Sequence, residues 1–274
     1  MLLEIEKLNI DYHVPTGKVS AVRDFNLAMG RERIGIVGES GSGKSTVVRA
    51  IMGFIEKPHE VNALKMKFDE IDLRSLSERE WLGIRGKRIA MILQDPRYSL
   101  NPVMTVGRQI AEACRAHTRC TRREADDRAL AMLEAVRIRE PRKVFGFYPH
   151  QISGGMGQRV MICMMLICEP DLLLADEPTS ALDVTVQAQI LTVLEDLVQQ
   201  KGMGLILVSH NLDLVAAFCD RVVIMYRGRI MEACKASELM NATHPYTRGL
   251  LACRPHLSER RLRLPQLERD ANWV

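Results

Sequence analysis

A short β-branched run, Ile34-Gly35-Ile36-Val37, leads into Gly38-Glu39-Ser40-Gly41-Ser42-Gly43-Lys44-Ser45-Thr46 and then into Val47-Val48-Arg49-Ala50. The run suits a buried strand. The last block opens a helix, with Ser45 and Thr46 in its first turn. The middle block fits G-x-x-x-x-G-K-[ST], a loop whose backbone wraps phosphate. Gly38, Gly41 and Gly43 lack a Cβ, so the backbone can bend sharply and approach a ligand closely. Consecutive N–H groups can then converge on phosphate oxygens. The following helix adds unpaired donors and the positive end of its dipole. Lys44 brings a mobile charge to the β- and γ-phosphates, and the Ser45 hydroxyl suits Mg²⁺. The alternative is a glycine-rich turn without a ligand, but the strand and helix that the motif demands are both present.

A second segment completes this chemistry. Leu172-Leu173-Leu174-Ala175 reads as a hydrophobic strand, with Asp176-Glu177 at its carboxyl end and Pro178 beyond. In open parallel sheets that edge is where ligands bind. Asp176 would hold Mg²⁺ through water, and Glu177 would polarise an attacking water as general base. A strand followed by two acids is common on its own. With the upstream loop it becomes a P-loop NTPase signature.

Around these two segments the chain reads as α/β. Residues 2–10 alternate, with Leu3, Ile5, Leu8 and Ile10 inward, as an edge strand. Val14–Lys18 is a turn and Val19–Leu27 a returning strand. Tyr12 has two readings, ordinary strand packing or stacking on a purine face. Pro58-His59-Glu60 breaks the chain, and a polar stretch with Asp69, Glu70 and Asp72 follows. Ser77 and Glu80 fit a capping box at a helix start. Arg88–Leu93 is a second buried strand ending in Gln94-Asp95-Pro96. Gln94 is either a strand-end cap or a polar amide reaching Mg²⁺ and water.

Residues 104–148 read as mostly helical. A charged face carries Arg115, Arg122, Glu124 and Asp127, and an apolar one carries Leu130, Leu133 and Val136. No strand signal interrupts this stretch, so it is a helical insert in an α/β domain. Ser153-Gly154-Gly155 precedes a long helix expected to start near Gln158. It is either a plain N-cap or an anion-binding helix start. Thr179–Asp183 opens a further helix ended by Gly202 and Gly204. Leu205–Ser209 is a buried strand with His210 at its end, placed to sense a γ-phosphate if it shares the edge of Gln94 and Glu177. Residues 222–226 and 229–233 flank Arg227-Gly228 as a hairpin.

Bulk properties limit the functional classes. The chain has 274 residues, 47% of them hydrophobic, enough for a full core with room for an insertion;. No stretch approaches the ~18 apolar residues of a membrane span, and the acidic start Met1–Glu6 does not resemble a signal peptide, so an intracellular, soluble chain is expected. Seven cysteines without a C-x-x-C pair fit reduced thiols;. Cys163 and Cys168, in an apolar helical run, are expected as small core hydrophobes. The net charge of +4 permits an acidic partner such as a nucleotide without demanding nucleic acid;.

Taken together, these residues resemble the ATP-binding subunits of ABC transporters, over residues 2 to about 252. The carriers, in chain order, are Gly38–Ser45, Gln94 as the Q-loop residue and Ile152-Ser153-Gly154-Gly155-Met156 as the signature. Leu172–Glu177 follow as the Walker B strand, Ser180-Ala181-Leu182-Asp183 as the D-loop and His210 as the switch histidine. Tyr12 matches the adenine-stacking aromatic. Gln94-Asp95-Pro96 with Ser99-Leu100-Asn101-Pro102, Tyr148-Pro149-His150-Gln151, Met156 and His244-Pro245-Tyr246-Thr247 are similar to the peptide, opine and nickel importer branch.

The resemblance implies a P-loop NTPase (RecA-like) core over 1–95 and 160–235. An N-terminal antiparallel β subdomain, an inserted α-helical subdomain over 96–159 and a tail over 253–274 complete the implied organisation. ATP and Mg²⁺ are the implied cofactors. Ser45, Gln94 and Asp176 would hold the metal, and Glu177, His210 and Lys44 would serve catalysis. Tyr12, Gly38 to Thr46, Gln94, Ser153, Gly154, Gly155 and Asp183 would contact nucleotide. The implied partners are a second ATPase subunit, identical or a paralogue, paired head to tail, and two membrane permease subunits fed by an extracytoplasmic binding protein. No nucleic acid is expected. The chain would work at the cytoplasmic face of the plasma membrane.

The pattern is not followed everywhere. Ile152 replaces leucine at the start of the signature. Gly157 stands where the branch has arginine or lysine, which is expected to alter dimer affinity. Many members carry a cysteine-rich C-terminal segment for an iron–sulfur cluster; here only Cys253 follows Cys234, and no cluster is expected. Arg254 to Arg269 read as a solvated or disordered basic tail. A rival reading is an ABC-type ATPase serving a soluble enzyme complex, such as carbon–phosphorus lyase, without transport.

Overall fold

The computed structural model describes residues 1–15, 17–93, 99–180, 182–253, 270 and 273. Gln94, Ala181 and the basic stretch 254–269 lie outside the described residues. The strands are β1 (Leu3–Val14), β2 (Gly17–Met29), β3 (Arg33–Val37), β4 (Glu60–Asn62), β5 (Lys65–Phe68), β6 (Ile71–Asp72), β7 (Ile89–Ile92), β8 (Leu172–Asp176), β9 (Gly204–Ser209), β10 (Arg221–Tyr226) and β11 (Arg229–Lys235). The helices are α1 (Lys44–Ile51), α2 (Glu78–Trp81), α3 (Val106–His117), α4 (Arg122–Ala135), α5 (Pro141–Phe145), α6 (Gly154–Leu166), α7 (Val184–Lys201), α8 (Leu212–Phe218) and α9 (Pro245–Ala252). This is an α/β chain, with an antiparallel sheet at its start and a run of helices between β7 and β8. It divides into two units, Met1–Ser75 with Leu207–Val274, and Leu76–Ile206.

In the first unit an antiparallel sheet has the order β2-β1-β5-β6, with β4 also on β1. The expectation of an edge strand over residues 2–10 is therefore corrected. β1 is interior, flanked by β2 on one side and by β4 and β5 on the other. Leu3, Ile5, Leu8 and Ile10 are all buried although their spacing breaks strict alternation. The register shifts between Ile5 and Leu8, where Lys7 takes φ 49°, and this bulge returns the second pair to the core face;. The polar stretch after Pro58 contains β4, β5 and β6. Lys65 and Lys67 alternate with buried Met66 and Phe68, and the lysine charges hid the strand pattern.

The same unit holds β3, parallel to β10, which turns through Arg227-Gly228 into antiparallel β11. Both turn residues have positive φ, 42° and 84°, as a two-residue primed turn requires;. Asp220 accepts from the Arg33 N–H at 2.8 Å and pairs with its guanidinium at 3.0 Å, tying the start of β3 to the start of β10. Burial alone would raise the Asp220 carboxyl, but these hydrogen bonds override it and hold it below the usual aspartate range;. β9 follows β3 in the sheet order.

In the second unit β7 and β8 run parallel, Ile89 opposite Leu172 through Ile92 opposite Ala175. Every residue of both strands is buried, the mark of a parallel strand covered on both faces;. Capping boxes start α2 at Ser77 and α4 at Thr121;. Val106–His117, Arg122–Ala135 and Pro141–Phe145 are helical, in keeping with the mostly helical reading of 104–148. Gln109, 4% exposed, accepts from the Asn101 N–H at 2.8 Å and donates to the Asn101 and Met104 carbonyls, both at 2.9 Å. One buried amide thus pins the Ser99–Pro102 phrase to α3.

The α6 start differs from expectation. Ser153 caps the helix, its hydroxyl accepting from the Met156 N–H at 3.3 Å, so α6 begins at Gly154 rather than near Gln158. Glycine disfavours a helix interior but is tolerated in a capped first turn. Cys163 is fully buried, and burial pushes its thiol far up. Cys168 is only half-buried beyond the end of α6, its thiol pushed up to about 11 by burial. No described helix is long and apolar enough to cross a membrane.

Candidate functional site

β3 carries the backbone out of the sheet at Val37, and α1 takes it up again at Lys44. Between them the loop is built from close backbone approaches. A Cβ at Gly38 would stand 2.1 Å from the Met225 carbonyl oxygen, so no side chain fits there. Gly43 caps α1 with φ 97° and no side-chain hydrogen bond, and a Cβ there would meet the Ala21 carbonyl at 2.5 Å. Glycine at the cap brings no side-chain oxygen of its own to the first turn of α1, which lies at the positive end of the helix dipole;.

Lys44 is 5% exposed. Its ammonium donates to the Gly38 and Glu39 carbonyls, both at 2.8 Å, and to the Ser42 hydroxyl at 3.4 Å. These contacts hold the ammonium over the loop, where a mobile cation suits phosphate;. The loop closes on itself through Ser42 N–H to the Glu39 carbonyl at 3.2 Å, and its Ser42 carbonyl accepts from the Gly228 N–H at 3.0 Å. Ser45 and Thr46 are half-buried in the first turn of α1.

Replacing Gly43 by alanine is expected to unseat this loop. An L side chain with left-handed φ costs about 1–2 kcal/mol, and the contact with Ala21 adds to it. A loss of about 2 kcal/mol would lower Tm by ~4–8 °C in a chain of this size. Thermal unfolding of Gly43→Ala beside the parent measures this; an unchanged Tm contradicts the geometry.

The same unit holds Tyr12 and His210. Tyr12, half-buried on β1, lies edge-on to His59 with ring centroids 4.7 Å apart. His210 is exposed between the end of β9 and α8, whose cap Asn211 accepts from the Leu214 N–H at 3.1 Å.

The second unit assembles the other residues. Asp176 ends β8 and is 7% exposed. Glu177 follows, half-buried, with φ 47°. Its carbonyl accepts from the Ser180 N–H at 3.3 Å and the Ser180 hydroxyl at 3.2 Å. Gln158, 1% exposed on α6, donates its amide to the Pro178 carbonyl. Asp183 caps α7, accepting from the Val186 N–H at 3.0 Å. A Cβ on Gly155 would come 2.9 Å from Val186 Cγ1, so the Ser153–Gly155 turn lies against the first turn of α7. Ser153, Gly154 and Gly155 are thus gathered with Asp183, and Gln158 fastens the same α6 start to the turn after Glu177.

Sequence patterns alone did not reveal Gln158, the Gly228 amide or the Tyr246 hydroxyl, which accepts from the Glu39 N–H at 3.4 Å. The only available signal was the His244–Thr247 phrase, which had no assigned role.

Comparison with known proteins adds to this geometry. A family model described as "ABC transporter" matches residues 22–180. The chain is 45% identical over 259 residues to the oligopeptide transport ATP-binding protein OppD of Salmonella typhimurium, covering 94% of this chain and 77% of that protein. It is 46% identical over 268 residues to the glutathione import ATP-binding protein GsiA of Salmonella choleraesuis, 95% of this chain and 43% of that longer protein. Among solved structures, the dimeric post-hydrolysis state of the ATP-binding cassette MJ0796, bound to ADP and Pi, superposes with a TM-score of 0.76. That match has 26% identity and covers 85% of this chain and 98% of that one.

Proposed function

Because the chain belongs to the ABC transporter family, we propose that it is the ATP-hydrolysing subunit of an importer for peptides or a related small polar solute. The observation that carries this reading is the amide-lined loop between β3 and α1, with Lys44 turned into it.

In this reading the loop amides of Gly41 to Thr46 hold the β- and γ-phosphates of ATP, and Lys44 leaves the loop carbonyls to meet them. Tyr12 stacks on the adenine. The Ser45 hydroxyl and the Asp176 carboxylate are hard oxygen donors and would hold Mg²⁺, with Gln94 as a further ligand. The ion would supply charge neutralisation across the phosphates. Glu177 takes the proton of the attacking water, and His210 hydrogen-bonds the γ-phosphate. Ser153, Gly154, Gly155 and Asp183 face the nucleotide of a second ATPase subunit, identical or a paralogue, so that ATP closes the pair and hydrolysis reopens it. The helical insert is where permease loops dock, so that the ATPase pair sits on two permease subunits at the cytoplasmic face of the membrane, with a solute-binding protein acting on the far side.

Co-purification of the full chain from detergent extracts tests the transport assignment. Two permease subunits and a second ATPase are expected to come with it, and deleting the chain should abolish uptake of a labelled peptide-like solute. Recovery in a purely membrane-free enzyme complex, with uptake intact, would instead place the chain in a soluble machinery.

A further inference from the structure

The peptide unit joining Gly38 to Glu39 is gripped at both ends. Its carbonyl accepts from the Lys44 ammonium at 2.8 Å, and its N–H donates to the Tyr246 hydroxyl at 3.4 Å. In a trans peptide these two groups point in opposite directions. Lys44 therefore holds the plane from inside the loop and Tyr246 holds it from outside.

Tyr246 is well suited to be the fixed end. It is fully buried on α9, with its ring 4.6 Å from Tyr226 and 5.7 Å from Trp273. Trp273 also packs on Tyr226, at 6.0 Å, and on His244, at 5.9 Å. The start of α9 is anchored in turn. His244 caps the helix, its Nδ1 accepting from the Tyr246 N–H at 3.1 Å. Glu232 on β11 accepts from the Thr243 N–H at 2.8 Å and from the His244 N–H at 3.4 Å. A hydroxyl on an immobile ring offers an acceptor at a set place, with little rotamer freedom left to lose.

The loop needs such a fixed point. A recess of about 300 Å³ runs along Glu39, Ser40, Gly41, Ser42, Tyr226 and Arg227. Close packing therefore does not hold Glu39–Ser42 where the recess borders it, and hydrogen bonds help set its course. Once Lys44 turns to phosphate, its hold on the Gly38 carbonyl weakens while the hold of Tyr246 on the same plane persists.

We propose that Tyr246 is a positioning residue for nucleotide binding: its hydroxyl sets the Gly38–Glu39 peptide plane, and with it the direction of the amides that follow. This gives the His244–Thr247 phrase a physical role. The inference rests on the reading that this loop binds the phosphates of ATP.

Tyr246→Phe removes the acceptor and keeps the ring. Calorimetry with the full chain should show MgATP and MgADP affinities falling about three- to tenfold, the size of one neutral hydrogen bond. Adenosine binding should stay unchanged, and Tm should fall by no more than the ~2–4 °C that one hydrogen bond carries in a chain of this size. In the assembled complex KM for ATP should rise by the same factor, with kcat within about twofold, because a uniform binding interaction is lost rather than one made only in the transition state.

Parent-like MgATP affinity in the variant overturns the inference and leaves the functional reading standing. Parallel losses in adenosine binding and kcat, with a fall in Tm beyond that range, also overturn it, since those mark a purely structural residue. Failure of the parent to bind MgATP overturns both. Should Tyr246→Phe not fold, amide hydrogen exchange in the parent still decides. Protection of the Glu39 amide without nucleotide is expected, and exchange at the rate of an open loop contradicts the proposal.

Discussion

Replacing Glu177 by glutamine is expected to leave MgATP binding intact and to slow hydrolysis by about 10²–10⁴-fold, the share a positioned general base contributes. Glutamine has the shape of glutamate but cannot take a proton from water, so the loss isolates the chemical step. The structure supports a special place for this residue. Glu177 directly follows the buried end of β8 and holds φ 47°, a backbone state that costs a non-glycine residue about 1–3 kcal/mol;. The turn beyond it keeps it there: Ser180 donates twice to the Glu177 carbonyl, and buried Gln158 holds the carbonyl of Pro178. A strained residue fixed from both sides at the end of a core strand launches its side chain in one direction. Steady-state ATPase assays of the assembled complex, beside nucleotide binding by calorimetry, measure the effect. Turnover near that of the parent would remove Glu177 from the role of base.

Lys44→Ala should act earlier, on binding itself. Each charge-assisted hydrogen bond to phosphate contributes about 1.5–3 kcal/mol, so MgATP affinity should fall by about tenfold to a hundredfold or more. The same substitution also frees the Gly38 and Glu39 carbonyls and the Ser42 hydroxyl that the ammonium now holds. Some loss of loop order is therefore expected without nucleotide as well. The two variants separate cleanly: Glu177→Gln keeps its affinity and loses turnover, whereas Lys44→Ala loses affinity at the binding step. Equal affinity in Lys44→Ala and the parent would mean that the loop is not a phosphate cradle.

Much of this was legible along the chain because the signals were local. The strand–loop–helix at Ile34–Ala50, the buried run ending at Asp176, the Ser77 capping box and the Arg227-Gly228 hairpin each depend on residues within one or two turns of each other. What escaped depended on partners far away in sequence. β1 reads as an edge strand until β4 and β5, some 50 residues later, are found on its other side. β5 was obscured because lysine stems cover apolar surface while their charges dominate the pattern. The start of α6 reads later than it lies because Gly154 and Gly155 depress helix propensity, whereas the Ser153 cap restores it;.

The candidate site followed the same rule. The residues that would touch nucleotide stand in motifs and were named directly. Gln94 among them lies outside the described residues. The residues that hold those motifs in place, Gln158, Gly228 and Tyr246, do so over separations of 20 to 207 positions and carry no pattern of their own.

A crystal structure of the Glu177→Gln chain with MgATP tests the central claim most directly. The account predicts the β- and γ-phosphates against the backbone amides of Gly41 to Thr46, with Lys44 turned from its loop carbonyls onto them. It also predicts that Ser45 and Asp176 would be the residues that hold Mg²⁺, since both offer the hard oxygen donors that ion takes. Nucleotide bound elsewhere, or Lys44 and Asp176 facing separate surfaces with no metal between them, would contradict it.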